Sequence, residues 1–164
     1  KTGEHYLIPP GTVHAIGPGI LLSEIQQNSN LTYRLYDWNR RDSNGLEREI
    51  HLKKAIDSIE EHETSVPAHK VEIQHPFGLE KYLCSTPYFI AKYWSIDKES
   101  KIWNGYYTFH IILGLKETCI NILNDEVKIK RGESLLVPAL SCPDAVVRGG
   151  TFLDYYLPYN IDVP

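Results

Sequence analysis

The chain has 164 residues, 42% of them hydrophobic, and a formal net charge of −4 at neutral pH. That suits one domain or two small ones with a packed core, and it gives no electrostatic footprint for nucleic acid. No apolar stretch approaches the roughly 18 residues needed to cross a bilayer, and the polar N-terminus lacks the charged-then-apolar pattern of a secretory signal.

The first element is a strand over His5-Tyr6-Leu7-Ile8, ended by Pro9-Pro10-Gly11. Thr12-Val13-His14-Ala15-Ile16 then restarts as an extended segment. Val13 and Ala15 share one face and His14 takes the other, because side chains alternate along a strand. A strand-turn-strand unit of this kind can aim one imidazole into a barrel interior. Neutral imidazole there suits zinc, iron, nickel or copper. A histidine beside a turn can equally be an ordinary surface or core residue.

Ile20–Gln27 and Leu31–Trp38 read as strands around the turn Asn28-Ser29-Asn30. Asn39–Gly45 is a polar loop. Ile50–Glu61 is the one convincing helix, with Leu52, Ala55, Ile56 and Ile59 at helical spacing. Glu60, Glu61 and Glu63 mark its solvated end. The best boundary in the chain is the stretch 62–70.

From Val71 onward the pattern is nearly all β. Strands are predicted at Val71–Gln74, Tyr88–Ile96, Tyr106–Leu113, Thr118–Leu123, Glu126–Ile129, Ser134–Pro138, Asp144–Arg148 and Thr151–Leu157. Turn chemistry lies between them, including Gly149-Gly150. His51, at the helix start, and His110, in a central strand, read as structural. The three cysteines, Cys84, Cys119 and Cys142, are odd in number and widely spaced. They suit a reducing cytoplasm and read as small buried apolar residues.

A weak internal repeat runs through the chain. Lys130-Arg131-Gly132-Glu133-Ser134-Leu135-Leu136-Val137-Pro138 parallels Lys1-Thr2-Gly3-Glu4-His5-Tyr6-Leu7-Ile8-Pro9. The second copy lacks the histidine. It reads as a second domain of the same kind without a metal.

The spacing Gly-x5-Pro-x-Gly-x2-His over Gly3–His14 resembles the second conserved motif of the cupins, a jelly-roll class. With LLSEIQQNSNLTYRLYDWNR and REIHLKKAI following it, the chain is similar to the type I mannose-6-phosphate isomerases, in their short bacterial form. The specific motifs fill residues 3–56, and the remainder resembles the family's metal-free cupin. The resemblance implies an all-β cupin jelly-roll sandwich with one short helix near residues 50–61. It implies that residues 1–45 close a metal-binding catalytic cupin, 46–62 connect, and 63–164 form a second, metal-free cupin. The family is about twice this length, and the chain starts at Lys1 inside a motif and contains no methionine. A partial chain, the C-terminal half of the enzyme, is therefore expected.

The implied reaction interconverts mannose 6-phosphate and fructose 6-phosphate by proton transfer through an enediolate. The implied cofactor is one zinc per full-length protein, held by a Gln, two His and a Glu. His14 matches the last of these ligands, and the others would lie upstream. Arg34 matches the active-site arginine. A guanidinium can stabilise an oxyanion or hold a phosphate. An ion pair of Arg34 with Asp37 or Glu24 is the plainer alternative. Glu24, Gln26, Asn30 and Arg40 are expected around the sugar phosphate, with Asn30 standing where the family usually carries Asp. The competing reading is a non-catalytic cupin module that binds sugar or another partner. A truncated cupin would also expose unpaired strands, which invite association with another chain.

Overall fold

Alternation of apolar and polar side chains after Val71 dictates strands with one face turned inward. A computed structural model of the chain describes residues 1–60, 71–105, 107–123 and 125–158. Eight strands form: β1 (Val71–His75), β2 (Gly78–Ser85), β3 (Ile90–Ile96), β4 (His110–Gly114), β5 (Thr118–Ile122), β6 (Asp125–Ile129), β7 (Ser134–Val137) and β8 (Val146–Tyr156). All pair antiparallel. One sheet has the order β1-β2-β3-β8-β4-β7, and β5 joins β6 to the first part of β8. A 3-10 helix, Ala139–Asp144, connects β7 to β8.

Strand β8 belongs to both layers, and its two glycines are why it can. Predicted as a turn between two strands, Gly149-Gly150 instead lies inside one long strand. The pairing of β5 with β8 shifts register between Cys119 and Ile120. Gly150 has φ +130°, and a Cβ there would lie 2.3 Å from Thr118 Oγ1. Only glycine lets the strand bend this close to its neighbour. The core between the layers includes Trp94, Ile96, Ile112, Val137 and Phe152 from the first sheet, and Ile120, Ile129 and Val147 from the second. Strand β2 escaped the sequence reading, because Gly78-Leu79-Glu80-Lys81-Tyr82 mixes charge into the inward positions. Glu80 is buried there.

The chain divides into two units, Lys1–His5 with Pro67–Pro164, and Tyr6–Val66. Before the helix the strands expected over 5–8, 12–16, 20–27 and 31–38 form no ladder among the described residues. Only Asp37 and Ala55 are buried between residues 6 and 60. The apolar side chains that would anchor these strands face solvent: Leu21 is 93% exposed and Leu31 69%. A strand needs a neighbour for its backbone groups, and alternation alone does not supply one.

The helix is shorter than expected. It is α1, Leu52–Asp57, capped by His51 without a side-chain bond, and of its residues only Ala55 is buried. Glu61, Glu63 and the boundary at 62–70 fall outside the described residues. Among those residues no helix is long and apolar enough to cross a membrane.

Candidate active-site residues

Asp37 is the centre of a charged cluster in the Tyr6–Val66 unit. The chain reverses at Asp37-Trp38-Asn39-Arg40, closed by the Arg40 amide donating to the Asp37 carbonyl at 3.0 Å. Both central residues are left-handed, Trp38 at φ 55° and Asn39 at φ 52°. A tryptophan in that region costs about 1–2 kcal/mol. The ring of Trp38 packs edge-on against Tyr36 at 5.2 Å.

The reversal surrounds one carboxylate with arginines. Arg48 grips Asp37 with two bonds, Nε to Oδ2 at 2.6 Å and Nη2 to Oδ1. Arg34 Nε lies 4.0 Å from Oδ1. The Arg34 guanidinium also donates to the Glu49 carbonyl at 3.0 Å, and its backbone exchanges bonds with His51 at the helix start. The hydrogen bond from Arg48 outweighs burial and, with the charges of Arg34 and Arg40, holds the Asp37 carboxyl below the usual carboxylate range. One carboxylate among three arginines leaves positive charge in excess, the arrangement that suits a phosphate or a developing oxyanion.

His14 is exposed. Its Nδ1 lies 2.9 Å from the Thr12 carbonyl. A carbonyl oxygen only accepts, so Nδ1 donates this bond and Nε2 is the nitrogen left for a metal. Metal-binding histidines are commonly oriented in this way. One imidazole is short of a site, since catalytic zinc takes about three protein ligands. No group of three or more His, Cys, Asp or Glu side chains suited to a metal occurs among the described residues. Glu24, Gln26, Asn30 and Arg40 are all exposed. The geometry thus gathers Arg34 and Arg40 around Asp37. Arg34 has the ion pair with Asp37 foreseen as its plainer role, together with the bond to Glu49.

Sequence reasoning missed Arg48, eleven positions from its partner, for which no short spacing gives a signal. It also passed over a polar network in the other unit. His75 Nε2 meets Glu80 Oε2 at 2.8 Å, and the ring stacks on Phe77 and Trp94. Lys92 meets Glu80 Oε1 at 2.7 Å. His110 and Trp103 both bond Asp154. The three cysteines are free thiols, with Cys142 buried and Cys84 and Cys119 half-buried. Burial pushes the Cys142 thiol up to about 11, which leaves it a poor nucleophile.

Two antiparallel layers sharing one strand, with a common core, define the class: an all-β sandwich. The solved mannose 6-phosphate isomerase of Bacillus subtilis has this fold, with TM-score 0.65 and 24% identity over 80% of this chain and 42% of that one. No family profile matches the chain. By sequence, a stretch of 60 residues is 60% identical to mannose-6-phosphate isomerase ManA of Bacillus subtilis, covering 37% of this chain and 19% of that protein. Mannose-6-phosphate isomerase of Streptococcus mutans is 32% identical over 143 residues, which is 84% of this chain and 43% of that one. The chain is similar to mannose-6-phosphate isomerases along most of its own length and spans less than half of theirs.

Proposed function

We propose that the chain supplies part of an enzyme that interconverts mannose 6-phosphate and fructose 6-phosphate. The observation that carries this reading is the arginine cluster at Asp37, in a chain that matches named isomerases over 84% of its length. Aldose–ketose isomerisation moves a proton between neighbouring carbons and passes through an enediolate, whose oxygen needs positive charge nearby. Arg34 is the residue proposed for that task. Arginine stays protonated at any working pH. Its bond to the Glu49 carbonyl fixes the guanidinium before substrate arrives.

Arg40, Glu24, Gln26 and Asn30 are proposed to bind the sugar phosphate, Arg40 through charge and the others through hydrogen bonds. Asn30 can donate as well as accept, but it cannot move a proton as an aspartate could. One zinc per complete protein belongs to the proposal, with His14 offering Nε2 as one ligand. When bound, zinc polarises a carbonyl or hydroxyl oxygen as a Lewis acid. Residues 1–45 would then close the catalytic cupin and 63–164 form the metal-free one, joined by 46–62. A cytoplasmic location fits three free thiols.

The test is Arg34→Ala in the full-length protein. The turnover number should fall by about two orders of magnitude, with a melting temperature lowered by only a few degrees. Normal kinetics in that variant would return Arg34 to the role of a partner for Asp37.

A further inference from the structure

The inner face of the first sheet carries polar groups where a sandwich interior is ordinarily apolar. Register places them in adjoining rows. Tyr82 pairs with Lys92, and Lys92 with Asp154. Glu80 pairs with Trp94, and His110 with Tyr156. The Lys92 ammonium lies 2.7 Å from Glu80 Oε1 and 4.2 Å from the centre of the Tyr82 ring. Burial pulls its pKa down, but Glu80 and the phenols of Tyr82 and Tyr156 outweigh that and hold it above the usual lysine value. Asp154, 1% exposed, accepts from Trp103 Nε1 at 2.9 Å and from His110 Nδ1 at 2.8 Å.

Tyr82, Lys92, Trp94, Trp103, His110 and Tyr156, with Asn104 at the rim, line a cavity of about 290 Å³. Small-molecule sites begin at roughly 300 Å³. Trp94 is 4% exposed, and its indole N–H has no hydrogen-bond partner among the described residues.

We propose that this cavity binds a small uncharged polyol of monosaccharide size. The charges argue against an anion: Glu80 already neutralises Lys92, and Asp154 adds a second carboxylate. The hydrogen-bonding groups are mixed. Phenols facing an ammonium can donate their own protons, while His110, with Nδ1 turned to Asp154, keeps Nε2 for a second hydrogen bond. Asn104 can both donate and accept. Hydroxyl groups, which donate and accept, match such a lining. The ring faces of Tyr82, Trp94 and Trp103 suit the C–H surface of a polyol.

The experiment uses the chain with Trp38→Phe, which leaves Trp94 and Trp103 as its only fluorophores of that type. D-Glucose, D-mannose and myo-inositol serve as neutral probes, and inorganic phosphate as the anion. A saturable fluorescence change with a neutral probe, half-complete in the millimolar range, is expected. Tyr82→Phe and Asn104→Ala, neither of which removes a core side chain, should each weaken it by about tenfold. Saturation by phosphate and not by the polyols would overturn the proposal. So would a linear response to every polyol in protein that still melts cooperatively, or a saturable response that neither substitution changes. None of these results depends on isomerase activity.

Discussion

Arg34 and Asp37 stand three positions apart, and a pair at that spacing is readable from sequence. The partner that dominates Asp37 is not. Arg48 reaches it only because Trp38 and Asn39 adopt left-handed backbone and turn the chain back. The depressed pKa of Asp37 has a defined consequence. Its contribution to stability is fully present above the unfolded value of about 3.9 and is lost as pH falls through the lower folded value. An NMR titration of the Asp37 carboxyl carbon should therefore give a midpoint below about 3.9, and Arg48→Ala should raise it. A midpoint at or above the ordinary value would mean that the bidentate pair does not persist in solution.

Strand identity was legible where apolar alternation met a partner in the same chain, as in β3 and β4, but not in β2, where the buried Glu80 breaks the apolar pattern. The internal repeat makes this plain. In both copies a glycine at the third position of a turn has positive φ, 87° at Gly3 and 83° at Gly132. The same bond closes each turn at 3.1 Å, Glu4 to the Lys1 carbonyl and Glu133 to the Lys130 carbonyl. A second shared turn follows, Thr12 to Pro9 and Ser141 to Pro138. After Gly132 the chain enters β7 and pairs with β4. After Gly3 the equivalent residues form no ladder among the described residues. Local chemistry fixed the turns, and a neighbour decided the strand. At Gly149-Gly150 turn chemistry misled, because a bend inside a long strand uses the same residue as a loop. The two glycine classes should separate experimentally. Gly132→Ala, with nothing within 4 Å of the added carbon, should cost about 1 kcal/mol. Gly150→Ala, which meets Thr118, should cost about 2 kcal/mol or more in urea unfolding. Equal small losses would show that β8 does not bend there.

Across the whole molecule the two units differ in kind. Residues after Val71 build a core from both layers, whereas residues 6–60 bury only Asp37 and Ala55. The fold class was legible because the β pattern and the cupin motif agreed. The proposed site residues were legible only as a set, since among the described residues the structure draws Arg34 and Arg40 toward Asp37 and leaves Glu24, Gln26 and Asn30 exposed. Residues 1–164 by themselves should have no isomerase turnover and should associate at rising concentration through apolar side chains such as Leu21 and Leu31. Sedimentation together with a coupled isomerase assay checks both. A monomeric, active 1–164 would contradict the account.

The most direct measurement is the conversion of mannose 6-phosphate to fructose 6-phosphate by the full-length protein, assayed before and after complete metal removal and again after zinc is restored. The account predicts turnover that chelation abolishes and zinc returns. Folded, zinc-replete protein that leaves mannose 6-phosphate unchanged would contradict it, as would turnover indifferent to the metal.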